Sequence, residues 1–176
     1  MRGETDRAKL ERLMAAIGER ATGSGVIYLT GGATALLFGW RKATIDVDIK
    51  PDPEPPGLFQ AIAALKESLD LNIELASPDQ FIPTLHGWRE RSIFIAMHGP
   101  VPFYHYDLYS QALSKLQRGH ARDLRDVHAM RSDRLIEPET LAQLFRDIQP
   151  QLIRFPGVDA ATFARVVREF CEQGDD

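Results

Sequence analysis

Residues 26–49 read VIYLTGGATALLFGWRKATIDVDI, and this stretch decides the fold that the sequence predicts. The apolar run Val26–Thr30 is typical of a short buried strand. Two glycines, Gly31 and Gly32, end the run, and the helix formers of Ala33–Phe38 follow at once. Glycines at a strand–helix junction let backbone N–H groups approach a bound phosphate, although two glycines alone more often indicate a tight strand–helix turn.

The end of the same stretch predicts a second strand that carries two carboxylates. Thr44–Ile49 alternates strictly between apolar and polar residues, which places Asp46 and Asp48 on one face, about 6.6 Å apart along the strand. Two carboxylates on one face repel each other unless they lie at a solvent edge or share a cation. Because Mg²⁺ prefers carboxylate oxygens, the pair indicates either an exposed strand face or a metal site.

A third acidic residue lies on a later strand with the same kind of alternation. Leu71–Leu75 places Glu74 on its polar face, together with Asn72. If this strand pairs with the previous one, Glu74 joins Asp46 and Asp48, and three acids on two adjacent strands outline a two-metal site. Asn72 competes with Glu74 for this place because both residues share the face.

The rest of the chain predicts few further strands and a helical C-terminal part. Thr5 and Asp107 are the predicted N-caps of the helices that follow them. The fold class is therefore α/β (α+β), with a mixed β-sheet flanked by helices in residues 1–109 and a helical section, residues 110–176, packed on it. Helices are predicted over 5–20, Leu58–Leu69 and about 110–118, 121–131, 138–152 and 159–172, and two strands joined by a turn over Ser92–Met97 and Val101–Leu108.

The composition is that of an ordinary globular protein and excludes several classes. Of the 176 residues, 44% are hydrophobic and 26% are charged, so the chain can build a sizeable core and is not disordered. Because the net charge is −4, the protein cannot bind nucleic acid through its overall charge, and any such binding must use a local patch. The single cysteine, Cys171, excludes a disulfide framework, and the longest uncharged stretch, Val26–Trp40, is too short to span a membrane. We therefore expect a cytoplasmic protein with no membrane partner.

The glycine pair followed by the D-x-D strand resembles the signature of the polymerase-β-like nucleotidyltransferase superfamily. The stretches Gly31–Leu36 and Arg41–Asp48 are similar to those of small bacterial nucleotidyltransferases related to AbiEii toxins. Downstream, Lys115 followed by Arg122-Asp-Leu-Arg-Asp126 is similar to a second pattern of that family. The resemblance implies a nucleotidyltransferase-like fold, an NTP substrate and Mg²⁺ or Mn²⁺ as cofactor. It further implies transfer of NMP to a hydroxyl of RNA, with tRNA a candidate, or of a protein, and an antitoxin partner in a toxin–antitoxin system.

The resemblance also implies a role for each carboxylate on the two strands. Asp46 and Asp48 would bind both metal ions. Glu74 would bind the ion nearest the acceptor and help to deprotonate its hydroxyl. Glutamate departs here from the family pattern, in which the third acid is usually aspartate.

The residues assigned to the nucleotide come from both similar stretches. Lys115 would neutralise the triphosphate with support from Arg118, and Asp123 would anchor Lys115 or orient the nucleobase. The basic residues of this segment are also typical of a solvated helix surface with i,i+4 ion pairs. The positions assigned to the bound nucleotide are Gly31, Gly32, Thr44, Lys115 and Arg118.

One departure from the family pattern leaves a second interpretation open. Gly32 stands where active polymerase-β-like enzymes have a serine that contacts phosphate. A chain with an altered phosphate loop is compatible with a non-catalytic nucleotide- or partner-binding module of the same fold. The three acids and Lys115 favour the enzyme.

Overall fold

The glycine-centred unit is present in the computed structural model, which describes residues 3–174. Gly31, with φ +63°, forms the turn between the first strand and the short helix that follows it. A glycine at this position is required because L-residues rarely adopt this backbone conformation. The first elements are helix α1 (Arg7–Arg20), strand β1 (Ile27–Thr30), helix α2 (Gly32–Phe38), strand β2 (Asp46–Pro51), helix α3 (Leu58–Ser68) and strand β3 (Asn72–Leu75).

A hairpin of two further strands, β4 (Ile93–His98) and β5 (Val101–His105), completes a five-stranded sheet. The strand order is β3-β2-β1-β5-β4. β1 is antiparallel to β2 and parallel to β5, β2 is parallel to β3, and β4 is antiparallel to β5. The predicted α/β class with a mixed sheet is thereby confirmed.

One face of the sheet forms the hydrophobic core with α1, α2 and α3. The alternation in β2 buries Val47 and Ile49, whereas Asp46 and Asp48 point to the opposite face. The apolar stripe that the sequence predicts on α1 is buried in this core. The largest fully buried side chains of the core include Leu10, Leu13, Ile17, Ile27, Leu29, Ile49, Leu58, Leu71 and Phe103.

Several predicted element boundaries differ from the structure; the helix predicted over 138–152, for example, ends at Ile148 and continues as a 3-10 helix. Two of the differences have identifiable reasons. Asp6, not Thr5, is the N-cap of α1, because its carboxylate accepts a hydrogen bond from the Lys9 backbone at 2.8 Å. Thr5 instead pairs through its backbone with Thr44. The last strand ends at His105, before the predicted end, because Asp107 caps the next helix as expected.

The described chain divides into two compact units. The first comprises the residues through Ser77 together with Ser92–Tyr106, and the second comprises Pro78–Arg91 together with the residues from Asp107 onward. The division after residue 109, and the packing of the helical section on the core, stay predictions. The second unit contains helices α4 (Trp88–Arg91), α5 (Leu108–Arg118), α6 (Ala121–Ser132), α7 (Pro138–Ile148) and α8 (Ala160–Glu172).

A helix that crosses a bilayer needs about 20 predominantly apolar residues. Within residues 3–174, no helix combines the length and the apolar character needed to cross a membrane.

Candidate active site

The predicted carboxylates lie on one face of two neighbouring strands. Asp48 of β2 is in register with Glu74 of β3 and with Thr30 of β1, and Asp46 is in register with Asn72. Paired positions on adjacent strands lie about 4.8 Å apart and project their side chains to the same side. The structure therefore brings all three predicted acids to the face of the sheet opposite the core.

Asn72 connects two of these carboxylates. Its side-chain amide donates hydrogen bonds to the carboxylate of Asp46 and, at 3.2 Å, to that of Glu74. Both amide hydrogens are therefore used in holding the two acids. The sequence presents Asn72 as a competitor of Glu74, whereas in the structure it is a partner of both acids.

The three acids do not form a metal cage by themselves. Among residues 3–174, no group of three His, Cys, Asp or Glu side chains is close enough to hold a metal ion. Mg²⁺ is usually held by one or two carboxylates together with substrate phosphates. The oxygen donors of Asp46 and Asp48 therefore fit an Mg²⁺ ion carried by a triphosphate, and the assignment of Glu74 as a metal ligand stays a prediction.

Gly31 is required by the position of Asp48 as well as by its own backbone. A Cβ at residue 31 would lie 2.6 Å from Oδ2 of Asp48. Any side chain there would displace the carboxylate. The glycine thus lets the end of β1 and the second acid of the D-x-D pair come into direct contact.

Thr44 occupies the space that a side chain at residue 32 would take. A Cβ on Gly32 would lie 2.1 Å from Thr44 Oγ1 and 2.8 Å from Thr44 Cβ. Thr44 is buried, pairs with the backbone of Thr5 in both directions, and donates from Oγ1 to the carbonyl of Asp46 at 3.1 Å. Thr44 therefore fills the space beside Gly32, and the assignment of Gly32 and Thr44 to a bound nucleotide stays a prediction.

Restoring serine at residue 32 is expected to destabilise the protein. Gly32→Ser should lower the free energy of unfolding by about 1–3 kcal/mol, because the new side chain overlaps a threonine that is fixed by its backbone. The double variant Gly32→Ser/Thr44→Gly should be more stable than the single variant, as urea denaturation would show. Equal stability of Gly32→Ser and the wild type would disprove the overlap.

His105 is a buried residue of the first unit with an altered pKa. Its Nδ1 lies 3.2 Å from Thr34 Oγ1, and its ring lies 4.5 Å from that of Phe38. Because Thr34 donates to the carbonyl of Leu29, its oxygen is left to accept a hydrogen bond from the neutral imidazole. Burial lowers the pKa of His105 from 6.5 to about 4. His105 is thus a neutral part of the packing around α2.

The lowered pKa of His105 predicts a pH dependence of stability. The unfolded chain binds a proton at this histidine below pH 6.5, whereas the folded protein binds it only near pH 4. Its contribution is complete above pH 6.5 and is lost as the pH falls to 4, a loss of about 3 kcal/mol. Urea denaturation at several pH values should show a smaller loss for His105→Gln than for the wild type. The same pH-dependent loss in His105→Gln and in the wild type would contradict the prediction.

Lys115 belongs to the second unit, where it is buried between two carboxylates. Its side chain is 3% exposed, and Nζ donates to Asp123 at 3.1 Å and to Asp126 at 2.7 Å. Arg118 donates to Asp123 at 3.2 Å, and its guanidinium lies 5.3 Å from the ring centre of Phe81. Asp123 makes the predicted contact with Lys115. The action of Lys115, Arg118 and Asp123 on a triphosphate stays a prediction.

A further ion pair of the same unit, in which only the carboxylate is fully buried, was not found from the sequence. Asp107 is fully buried and accepts two hydrogen bonds from Arg91, at 3.1 and 2.9 Å. The same carboxylate accepts bonds from the backbone of Tyr109 and Ser110. The sequence shows the capping role of Asp107, but it contains no signal that identifies Arg91 as its partner. This ion pair stabilises the start of α5.

Comparison with known proteins finds one family. Residues 8–157 match the model of a family described as "Nucleotidyltransferase of unknown function (DUF6036)". No curated protein and no solved structure matches the chain. The matched region spans most of the chain and includes Gly31, Asp46, Asp48 and Glu74.

Proposed function

Because the chain belongs to this family of nucleotidyltransferases, we propose that it transfers NMP from an NTP to a hydroxyl of RNA or protein and releases pyrophosphate. The proposal includes Mg²⁺ or Mn²⁺ as the cofactor, which Asp46 and Asp48 would hold together with the triphosphate. The sequence resemblance adds two further parts to the proposal. These are a closer relation to AbiEii-like toxins and a role with an antitoxin.

One observation carries this proposal. Asp46 and Asp48 lie on the same side of β2, with Gly31 against the carboxylate of Asp48 and Glu74 in register beside it. The two carboxylates lie outside the hydrophobic core, on the opposite face of the sheet. Their arrangement suits a cation that is shared with an anionic substrate.

Each residue of this face has a proposed task. Asp46 and Asp48 would hold the divalent cation, which would supply positive charge to offset the charge on the attacking and leaving oxygens. Glu74 is exposed and accepts the proton of the acceptor hydroxyl. Asn72 holds Asp46 and Glu74 in place through its amide. The backbone N–H groups at Gly31 and Gly32 contact the phosphates, as the sequence predicts.

A specific observation favours a second candidate function. Gly32 stands where active polymerase-β-like enzymes have a serine, and a side chain at this position would overlap Thr44. This is compatible with a non-catalytic module of the same fold that binds a nucleotide or a partner. The two functions differ in whether binding depends on the metal and whether NMP is transferred.

Calorimetric titration with a non-hydrolysable NTP analogue tests the binding part of the proposal. We expect binding in Mg²⁺, little or no binding in EDTA, and at least tenfold weaker binding by Asp46→Asn. Glu11→Gln, which changes an exposed carboxylate on α1, serves as the control and should bind like the wild type. Equal binding with and without Mg²⁺ would contradict the proposed use of Asp46.

A further inference from the structure

A row of four side chains crosses the sheet on the same face as the carboxylates. Lys50 of β2 is in register with Tyr28 of β1, Tyr28 with Tyr104 of β5, and Tyr104 with Phe94 of β4. Side chains at paired positions project to the same side of a sheet. The row therefore begins with a cation on β2 and ends with an aromatic ring on the edge strand.

This row lies on the carboxylate face and not on the core face. Thr30 is in register with Asp48, and Tyr28 is two residues from Thr30 on the same strand. Residues two apart on a strand share a face. The aromatic row and the D-x-D pair therefore lie on one face of the sheet of the first unit.

The rings of the row are in contact with one another. The ring centres of Tyr28 and Tyr104 are 5.7 Å apart, and those of Tyr104 and Phe94 are 5.6 Å apart with an interplanar angle of 75°. Exposure increases along the row, from 6% at Tyr28 to 56% at Phe94. Met97, which is 60% exposed, adds apolar surface on the same strand. Tyr28 is buried and also packs on Tyr106, with ring centres 6.1 Å apart, so the part of the row that opens to solvent is its Tyr104–Phe94 end. A single exposed apolar residue is ordinary, whereas contacting rings that lead from the buried interior to an exposed edge form an apolar patch.

The distance from the carboxylates limits what the exposed end of the row can contact. Three strand spacings separate β2 from β4, roughly 14 Å. A small acceptor with its hydroxyl at Asp48 does not reach Phe94. A polymer with its terminal hydroxyl at Asp48 can place a preceding residue there.

We infer that the acceptor is single-stranded RNA, whose terminal hydroxyl lies at the carboxylates and whose preceding bases stack on Tyr104 and Phe94. This inference rests on the proposed function and selects RNA over protein as the acceptor. Aromatic rings combined with a cation are the usual means of binding single strands, since every base has a π-face and every nucleotide a phosphate. Lys50 contributes the cation at the carboxylate end of the row. Duplex RNA does not fit, because its bases are already stacked on one another.

Binding of a fluorescein-labelled ten-nucleotide RNA, followed by fluorescence anisotropy in Mg²⁺, tests this inference. We expect Phe94→Ala to raise the Kd about tenfold, as the loss of a stacked base predicts. Phe59→Ala removes a ring that is 46% exposed on α3, away from the row, and should bind like the wild type. The same RNA annealed to its complement should bind more weakly than the single strand. Thermal melting of both variants is the control that tests whether they are folded.

The possible results distinguish a failure of this inference from a failure of the proposed function. Wild-type protein that does not bind the single strand, or Phe94→Ala that binds it as tightly as the wild type, would overturn the inference. If Mg²⁺-dependent binding of the NTP analogue persists in that case, the proposed function stands with a protein acceptor. If the single strand binds through Phe94 while the NTP analogue does not bind, the RNA surface stands and the proposed function fails.

Discussion

Asp48→Ala is expected to lower the rate of NMP transfer by at least about 10³-fold. The substitution removes a carboxylate that would hold the divalent cation, and the charge that such a cation offsets is worth several kcal/mol at the transition state. Transfer of a labelled nucleotide by wild type and variant at equal concentration measures the effect. The control Asp6→Asn, which changes the N-cap of α1, should retain the wild-type rate per folded molecule.

The same variant should remain folded when no metal is present. Asp46, Asp48 and Glu74 place three negative charges on one face, so the removal of one relieves repulsion. The low strand propensity of alanine offsets less than about 1 kcal/mol of this gain. Thermal melting in EDTA should give a Tm equal to or above that of the wild type. If the Tm falls strongly, and the wild type shows no Mg²⁺-dependent binding of NTP, the carboxylates are structural.

Lys115→Met is expected to destabilise the protein by about 3–5 kcal/mol. Methionine keeps the length of the side chain but removes the ammonium that pairs with Asp123 and Asp126, and both carboxylates are largely buried. Breaking a buried ion pair costs more than the pair contributes, because the remaining charge loses its partner without regaining water. Urea denaturation of wild type and variant measures the loss.

Two comparison variants establish the cause of that loss. Lys42→Met removes an exposed lysine and should change the stability by less than about 0.5 kcal/mol. The triple variant Lys115→Met/Asp123→Asn/Asp126→Asn removes the unpaired charges and should regain part of the stability. If Lys115→Met is as stable as the wild type but binds the NTP analogue more weakly, Lys115 contributes to binding of the triphosphate and not to the stability of the fold.

The elements that position the site could be predicted because periodicity alone specifies them. The alternation of Thr44–Ile49 fixed the face of Asp46 and Asp48, since a strand that buries Val47 and Ile49 must expose its other side. The same rule placed Glu74 correctly on its strand. Parallel pairing of the two strands then brought the acids together in register.

The contacts between side chains could not be predicted in the same way. The hydrogen bonds of Asn72 depend on rotamers, and the contact of Thr44 with Gly32 joins positions that are close only after folding. The burial of Lys115 between Asp123 and Asp126 needs α5 and α6 to pack against each other. Charge along a helix shows only that ion pairs are possible, because exposed and buried pairs have the same sequence pattern.

NMP transfer is tested most directly with NTPs that carry the label either on the α-phosphate or on the γ-phosphate. NMP transfer breaks the bond between the α-phosphorus and the oxygen that bridges to the β-phosphate, so the α-phosphate goes to the acceptor and the γ-phosphate leaves with pyrophosphate. We predict that wild-type protein, Mg²⁺ and pooled RNA and protein acceptors give labelled acceptor from α-labelled NTP and none from γ-labelled NTP. Asp48→Ala should give neither. Label on the acceptor from γ-labelled NTP, or no label from any of the four α-labelled NTPs, would contradict nucleotidyl transfer by this protein.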